Sequence, residues 1–208
     1  FTSSHEEIMT AFTDDAAGAD LGLVEGNKGL FDGVDPEGSD SNAALAELLR
    51  IPVLLVIDTR GMTRGIAPLV TGYQQFGSQM RIAGIVLNQV GGPRHEGKLR
   101  AAIERYSDIP VLGAIGRHQS ITISERHLGL MPPNEAADVS GRINELADII
   151  AADVDIDRIA GEITGEVEVA PRLKATSHRP SPLAGAGDVV IAYARDAASG
   201  VYYPADRA

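Results

Sequence analysis

The sequence of 208 residues contains no cysteine and no tryptophan, and only 4% of its residues are aromatic. Without cysteine, these residues form no disulfide, thiolate zinc site or cysteine nucleophile, which is typical of a cytoplasmic protein. No apolar run approaches the roughly 18 residues that a membrane span requires. The sequence therefore predicts a cytoplasmic protein with no membrane partner, whose 44% hydrophobic content suffices for one main core.

Positive charge is also scarce. The chain carries 18 Lys and Arg residues against 29 Asp and Glu residues, which gives a formal net charge of −11. A field of this sign repels the phosphates of nucleic acids and of anionic lipids. We therefore expect small molecules or proteins as partners, and no nucleic acid.

Short apolar runs alternate with helical patterns along the first two thirds of the chain. Runs rich in β-branched residues predict four strands at Leu21 to Val24, Val53 to Asp58, Ile82 to Asn88 and Pro110 to Ala114. Apolar spacing of three and four residues predicts helices at Ser41 to Leu49, Met62 to Phe76, Gly97 to Tyr106 and Glu135 to Ala152. This alternation indicates an α/β fold in which helices cover both faces of a mostly parallel sheet. Such sheets bind ligands beyond the carboxyl ends of their strands.

The composition changes in the last quarter of the chain. Residues 1–152 are predicted to form the main domain, and residues 153–188 a helix and a linker rich in Pro, Gly and Ala. Residues 189–208 begin with the strand pattern Val189 to Ala194. Because one strand cannot form a domain, we expect it to open a second domain that is otherwise absent. The chain begins at Phe1 and not at Met, and we expect a fragment on this ground.

The stretch "EGNKGLFDG", Glu25 to Gly33, combines charge with backbone freedom directly after the first predicted strand. A carboxylate at a strand end, such as Glu25 or Asp58, is suited to Mg²⁺, although a solvated or capping acid is the more ordinary interpretation. Three glycines, at positions 26, 29 and 33, allow unusual backbone angles and close approach to a ligand. Lys28 supplies a point charge for phosphate or carboxylate.

Basic residues follow the other predicted strands. Arg60 and Arg64 lie four residues apart near the start of a helix, where cations oppose the macrodipole and suggest an anionic ligand. Arg94 follows the third strand, and Arg126 lies in the charged segment "SERHLGLMPPNE". Ordinary surface arginines and a basic helix face are the alternatives. His127 has no second His or Cys at ligand spacing, so a metal site there is disfavoured.

In this order, the segments "VEGNKGLFDG", "SNAALAELLRIPVLLVIDTRGM", "IAGIVLNQVGGPRH", "IPVLGAIGR" and "ERHLGLMPPNE" resemble the cobyrinic acid a,c-diamide synthase family of the dethiobiotin-synthetase-like P-loop group. The resemblance covers roughly Ala19 to Glu135, and Val189 to Pro204 resembles the opening of that family's glutamine amidotransferase domain. The residues of "EGNKGLFDG", "SNAALA", "DTRGMTRGIAP" and "GGPRHEGKLR" are most similar to the siroheme or sirohydrochlorin amidase branch of this family.

The resemblance implies ATP- and Mg²⁺-dependent amidation of acetate side chains of a tetrapyrrole through an acyl phosphate, with ammonia supplied by glutamine. It implies Glu25 as the Mg²⁺ ligand, Asn88 as the nucleotide contact, and a phosphate- and substrate-binding group. That group comprises Gly26, Lys28, Gly29, Asp32, Gly33, Ser41, Asn42, Arg60, Arg64, Arg94 and Arg126. Asn42 stands where the family usually has Thr, a change that keeps a polar side chain at this position.

The sequence also departs from the family. It contains no "GxxxxGK[ST]" P-loop, and "GNKG" lacks the spacing of one. The cysteine nucleophile of the amidotransferase domain is absent as well. We therefore expect the full-length protein to be the enzyme, and this chain alone to be inactive and without an assignable catalytic residue. A non-catalytic module of the same fold is the alternative, and dethiobiotin synthetase is disfavoured by the "ERHLGL" segment. A homodimer and the identity of the tetrapyrrole are left open.

Overall fold

A computed structural model describes residues 3–76, 80–118, 125–126, 129–130 and 139–163. These residues fall into two units. The first contains the described residues up to 117 together with residues 153–163, and the second contains the described residues from 118 to 152. The strand and tail predicted after residue 188 lie outside the described residues. None of the helices in the described ranges is long and apolar enough to cross a membrane.

A parallel sheet of three strands forms the centre of the first unit. Its order is β1 (Val53–Asp58), β2 (Ile82–Val90) and β3 (Val111–Gly116), and β2 pairs in parallel with both neighbours. Helix α3 (Ile66–Gln75) connects β1 to β2, and α4 (Pro93–Tyr106) connects β2 to β3. The predicted α/β fold with a parallel sheet is therefore confirmed.

The core lies between the sheet and these two helices. Strand β2 is buried over five consecutive residues, 83–87, as expected for the middle strand of a parallel sheet. The residues of this core that exclude solvent completely are Ile66 and Val70 of α3, Ile85 and Leu87 of β2, and Leu99 and Ile103 of α4. Spacings of four residues on α3 and on α4 direct each apolar pair to one side of its helix.

Two predicted helices start elsewhere than expected. α3 begins at Ile66, after the N-cap Gly65, and not at Met62. Arg60 and Arg64 therefore precede the helix, and the macrodipole argument for an anion does not apply to them. α4 begins at Pro93, four residues before the predicted start, because proline fits the first turn of a helix and needs no amide donor there.

The predicted first strand, Leu21 to Val24, is wrong. These residues form no strand, and Leu23 is 90% exposed. A strand is stable only when it pairs with a neighbour, and no strand of the described residues pairs with this run. The chain before β1 instead forms α1 (His5–Ala16) and α2 (Asn42–Leu49). The prediction of α2 is confirmed.

The segment that begins at residue 153 pairs with β3, an edge strand of the sheet. Val154 makes an isolated antiparallel bridge with Gly113, and the amide of Asp155 donates to the carbonyl of Leu112 at 2.8 Å. A Cβ atom on Gly113 would lie 2.7 Å from the Val154 side chain, so glycine permits this close approach. Helix α6 (Ile156–Ile163) then contacts β2 and β3.

The described part of the second unit is small. It contains strands β4 (Glu125–Arg126) and β5 (Gly129–Leu130), which pair antiparallel, and most of α5 (Val139–Asp153). Helix α5 agrees with the predicted helix Glu135 to Ala152 over residues 139–152 and ends one residue later, while residues 135–138 lie outside the described residues. Arg126 belongs to β4.

Candidate functional site

Polar residues meet at the carboxyl ends of the three parallel strands. Asp58 ends β1 and is the register partner of Asn88 on β2, while Arg117 directly follows β3. Together with Thr59 and Gln89, these residues are called the strand-end cluster below. Ligands of parallel sheets bind at this edge, so the cluster is the first candidate site.

Strand β2 is irregular where it contributes to this cluster. Leu87 pairs with Ala114 and Val90 with Gly116, so three steps along β2 face two steps along β3. Gln89 lies within this bulge with a φ of 60°, which a residue other than glycine rarely adopts. Bulges re-aim side chains beside active sites, and strained backbone is concentrated there. The irregularity therefore supports a functional role for this end of β2.

Asn88 is held on two sides. Its carbonyl oxygen accepts hydrogen bonds from the amide of Thr59 at 2.9 Å and from the Thr59 hydroxyl at 2.8 Å. Its side-chain Oδ1 accepts from the amide of Gln89 at 2.9 Å. Its Nδ2 has no hydrogen-bond partner among the described residues. The carboxamide is thus fixed in orientation, and its donor group is available to a ligand.

Asp58 and Arg60 form a close ion pair. The Asp58 carboxylate accepts from the Arg60 amide at 3.0 Å and from its Nε at 2.8 Å, and an Arg60 terminal nitrogen lies 2.6 Å away. The Arg60 hydrogen bonds hold the pKa of Asp58 below its usual value, so this carboxylate is charged at neutral pH. An anionic substrate that binds Arg60 has to compete with Asp58.

Arg117 is a site residue that the sequence did not reveal. Its Nε donates to the carbonyl of Gln89 at 3.3 Å, and its charge contributes to the lowered pKa of Asp58. The only signal in the sequence was its position directly after a strand, in "GAIGR". Arg117 supplies a cation at the edge where the sheet would bind an anionic ligand.

The glycine-rich stretch Glu25 to Gly33 forms a second group, and Asp40 organises it. The Asp40 carboxylate accepts from the amides of Val34 at 2.9 Å and Asp35 at 3.1 Å, and it pairs with Lys28 Nζ at 3.1 Å. These hydrogen bonds, with the backbone of Val34 first, lower the pKa of Asp40 to about 2. Lys28 is therefore already neutralised by an acid of its own loop.

The three glycines of this stretch serve close packing more than unusual backbone angles. None of them has a φ in the left-handed range, contrary to the expectation of unusual angles. A Cβ on Gly33 would lie 2.1 Å from Asp40 Oδ1, and one on Gly29 would lie 2.0 Å from Asp32 Oδ2. At position 33 the close atom belongs to Asp40, which its hydrogen bonds hold in place, so glycine is favoured there. At position 29 the close atom is the end of the exposed Asp32 side chain, which can move away.

Ser41 and Asn42 join this loop to α2. Ser41 is the N-cap, and its buried hydroxyl oxygen accepts from the amide of Ala44 at 3.1 Å. Asn42 Nδ2 donates to the carbonyl of Lys28 at 2.8 Å, and a Cβ on Gly26 would lie 2.9 Å from this nitrogen. Both residues therefore have structural roles in the loop, which do not require a substrate.

The stretch is anchored on the helix layer and does not continue from a strand. The ring of Phe31 stacks on Tyr73 of α3, with centroids 5.9 Å apart, and meets Phe76 edge to face at 5.0 Å. No hydrogen bond or ion pair between described residues joins the glycine-rich stretch to the strand-end cluster. Within the described residues, the predicted site residues thus form two groups that no such bond connects.

Glu25 is exposed, and no hydrogen bond or ion pair within the described ranges involves it. Nor does any group of three or more His, Asp or Glu residues there form a cation site. Because Mg²⁺ takes several oxygen ligands in octahedral geometry, Glu25 does not constitute a magnesium site by itself.

Among the described residues, Arg64 and Arg94 make no hydrogen bond or ion pair with either group. Arg64 donates to the Tyr106 hydroxyl at 3.1 Å, and its guanidinium lies 5.8 Å from the centre of that ring. Its hydrogen bond is the main cause of a lowered pKa for Tyr106. Arg94 is exposed in the first turn of α4. The side chain of Arg126 is not described.

One segment of the strand–helix connection comes close to a P-loop in spacing. Gly92 to Lys98 reads G-x-x-x-x-G-K, but Leu99 follows where a P-loop has Ser or Thr. Pro93 to Lys98 already belong to α4, so their amides serve the helix and do not form a loop around a phosphate. This segment is therefore not a phosphate cradle.

Comparison with known proteins gives a consistent result. The model of a family described as "AAA domain" matches residues 3–124. The cobyrinate a,c-diamide synthase of Magnetococcus marinus is 43% identical over 205 residues, which are 98% of this chain and 44% of the relative. That of Methanosarcina acetivorans is 37% identical over 95% of this chain and 41% of the relative.

The hydrogenobyrinate a,c-diamide synthase of Brucella anthropi is 44% identical over 143 residues, covering 69% of this chain and 32% of the relative. The chain thus spans less than half the length of the curated relatives that it matches. No solved structure matches it.

Proposed function

Since this chain belongs to the AAA domain family and has cobyrinate a,c-diamide synthases among its relatives, we propose that the full-length protein is an ATP- and glutamine-dependent amidotransferase. Its substrate is a tetrapyrrole polycarboxylate, and its products are amides of the acetate side chains. The relatives named as cobyrinate and hydrogenobyrinate a,c-diamide synthases support this substrate class. The irregular end of β2 is the structural observation that supports a site at the strand ends.

In the proposed reaction, ATP supplies a phosphoryl group. A carboxylate oxygen of the substrate bonds to the γ-phosphorus as ADP leaves, and ammonia from glutamine then bonds to the acyl carbon as phosphate leaves. The part of the chain described by the structure contributes binding groups to this reaction. We assign the delivery of ammonia to the full-length protein.

The strand-end cluster fits an adenine nucleotide. Asn88 presents a fixed carboxamide whose Nδ2 donor is available, and an amide side chain can meet the donor and acceptor pattern of a base edge. Arg117 adds a cation near the same strand end. The carboxylate of Asp58 stays ionised and occupies Arg60, so a ligand anion that approaches Arg60 meets the negative charge of Asp58.

Arginines outside the strand-end cluster are the proposed contacts to substrate carboxylates. Arg94 is exposed at the start of α4, so its fork of donors can bind a carboxylate without first losing an ion pair within the described residues. Arg64 would have to leave the Tyr106 hydroxyl for that purpose. In a protein with a net charge of −11, such local cations are needed to retain a polyanion.

The described residues do not assemble a magnesium site, so Mg²⁺ remains a prediction that depends on Glu25. Glu25→Gln keeps the size of the side chain and removes its charge. If Glu25 binds the metal, turnover of the variant should require a Mg²⁺ concentration at least about tenfold higher, because a carboxylate is the stronger ligand. Asp20→Asn, at an exposed acid five residues upstream, is the matched control. An unchanged Mg²⁺ dependence of Glu25→Gln would remove Glu25 from the metal site.

The substrate experiment uses the full-length protein with MgATP, glutamine and one of three tetrapyrroles: cobyrinic acid, hydrogenobyrinic acid or sirohydrochlorin. Mass spectrometry of the product should show exchange of carboxylate for amide with at least one of them. A preference for sirohydrochlorin would favour the siroheme or sirohydrochlorin amidase branch, which the segments "EGNKGLFDG" and "DTRGMTRGIAP" resemble. A folded protein that amidates none of the three would instead be a non-catalytic module of this fold.

A further inference from the structure

His95 lies in the first turn of α4, and both nitrogens of its ring are engaged. Nδ1 lies 3.0 Å from the amide nitrogen of Gly91, which donates a hydrogen bond to it. Nε2 lies 2.6 Å from the carbonyl oxygen of Met62. Because an amide can only donate, Nδ1 is the acceptor and carries no proton. A neutral imidazole then has its proton on Nε2, which donates to Met62.

This arrangement fixes the role that the ring can have. A general base or a metal ligand needs an unprotonated nitrogen with a free lone pair, and the Nδ1 lone pair of His95 is taken by Gly91. Its Nε2 proton is directed at a backbone carbonyl that holds it. His95 therefore acts on protein backbone at both sides and leaves no atom for direct chemistry on a substrate.

The two backbone groups that His95 joins belong to different loops. Met62 lies in the connection between β1 and α3, residues 59–65, which carries Arg60 and Arg64. Gly91 lies in the turn between β2 and α4, directly after the strand that carries Asn88. The Nε2 bond thus links the arginine-bearing loop 59–65 to α4, the helix that follows β2.

At its start, this loop is also hydrogen-bonded to β2. The amide and hydroxyl of Thr59 both donate to the carbonyl of Asn88, at the point where the strands end. Three residues further on, the His95 bond to Met62 supplies a second point of attachment. Near the end of the loop, Arg64 donates to the Tyr106 hydroxyl of α4 at 3.1 Å, and the loop then continues into α3 at the buried Ile66. Without His95, the middle of the loop at Met62 would lose its hydrogen bond to α4, while both ends of the loop stay attached.

We infer that His95 is a positioning residue that sets the arginine-bearing loop 59–65 against the β2–α4 turn, and thereby places the cations of that loop for an anionic substrate. The anionic substrate rests on the proposed function, whereas the link between the two loops rests on the hydrogen bonds of His95 alone. It assigns His95 no contact with substrate, nucleotide or metal.

Two conservative substitutions separate the two bonds of the ring. In His95→Asn the side-chain oxygen can replace Nδ1 as acceptor from Gly91, while no group reaches Met62. In His95→Gln the longer amide can replace Nε2 as donor to Met62, while the bond from Gly91 is lost. His95→Phe removes both bonds and retains a ring. Glu104→Gln, at an exposed acid of the same helix, is the matched control.

Amide hydrogen exchange tests the link without any activity. The amide of Gly91 should exchange at least about fivefold faster in the Gln and Phe variants and stay protected in the Asn variant, since one hydrogen bond contributes about that factor. The amide of Met62 donates to the carbonyl of Thr59, and it should exchange faster in the Asn and Phe variants, which lose the bond to Met62, but not in the Gln variant. If both amides exchange at the wild-type rate in all three variants, the inference is wrong.

Steady-state kinetics of the full-length enzyme test the positioning role. His95→Asn and His95→Phe should raise KM for the tetrapyrrole about fivefold or more, and His95→Gln should restore it to within about twofold of the wild type. KM for ATP should stay constant in all of them, because Thr59 still holds Asn88. An equal loss of kcat in all three variants, with KM unchanged, would contradict positioning. If the wild type has no activity, the proposed function fails, and the exchange experiment still decides the link.

Discussion

Replacing Thr59 with valine removes one hydrogen bond at the strand ends with little change in the shape of the side chain. Thr59 is fully buried, and its hydroxyl donates to the carbonyl of Asn88 at 2.8 Å. That carbonyl keeps the hydrogen bond from the Thr59 amide at 2.9 Å, so no polar group is orphaned in the variant. The change therefore tests how much a single hydroxyl contributes to the position of Asn88.

The expected cost follows from these contacts. An intramolecular hydrogen bond contributes about 0.5–1.5 kcal/mol net, and the added methyl group recovers part of it by burial. We expect Thr59→Val to lower the free energy of unfolding by about 1 kcal/mol or less, which corresponds to a fall in Tm of about 2–4 °C for a chain of this size. Thr59→Ser keeps the hydroxyl but loses a buried methyl group, and should cost a similar amount.

Nucleotide binding distinguishes the two variants where stability does not. With a fluorescent ATP analogue and the full-length protein, Thr59→Val should weaken binding about threefold to tenfold, because the carbonyl of Asn88 then accepts one hydrogen bond from Thr59 in place of two. Thr59→Ser should bind within about twofold of the wild type. If Thr59→Val binds like the wild type while Thr59→Ser is the weaker variant, the hydroxyl does not position Asn88 and the reasoning is refuted.

Two further predictions concern Gly33 and the carboxylates near it. Gly33→Ala should destabilise the protein by about 1–3 kcal/mol, since its Cβ would lie 2.1 Å from Asp40 Oδ1. Gly97→Ala in α4 serves as the comparison: a Cβ there meets nothing within 4 Å, so this change should stabilise the protein by about 0.5–1 kcal/mol. Urea unfolding followed by circular dichroism measures both, and a harmless Gly33→Ala would contradict the packing argument. The second prediction is a pH dependence: hydrogen bonds lower the pKa values of Asp35 and Asp40 to about 2 in the folded protein, against about 3.9 in an unfolded chain. Their stabilising contribution is therefore fully present above about pH 4 and is lost as the pH falls towards about 2. Asp40→Asn should reduce the slope of stability against pH in this window, and an unchanged slope would show that Asp40 is not linked to folding.

The sheet was predictable because its signals are local. "VLLVID" and "IAGIVLN" are apolar and β-branched with polar ends, and β1 has the predicted bounds while β2 extends two residues further. Ser41 marked the start of α2 for an equally local reason, since its hydroxyl caps the first turn. Leu21 to Val24 shows the limit of this approach. The run has the composition of a strand, but pairing depends on a neighbour that the four residues do not encode.

The geometry of the candidate site was harder to predict from the sequence. Nothing in "LNQVGG" indicates a bulge or a positive φ at Gln89, because both depend on the register with β3. Asp40 was overlooked because it lies 12 residues from Lys28, and only the folded loop brings them together. The sequence predicted Asn88 as the last residue of its strand, whereas β2 continues to Val90 and Asn88 is the register partner of Asp58, which ends β1. The groups that hold Asn88, Thr59 and the amide of Gln89, required the structure.

We propose that Asn88, near the end of β2, binds the adenine base of ATP. Asn88→Asp provides the most direct test, because the carboxylate can still accept from the Gln89 amide while the Nδ2 donor is lost and a charge is added near Asp58. We measure ATP binding to the full-length protein by calorimetry, with circular dichroism to verify the fold. We expect a fold like that of the wild type and a Kd for ATP that is raised about tenfold or more. An Asn88→Asp protein that binds ATP as tightly as the wild type would contradict it.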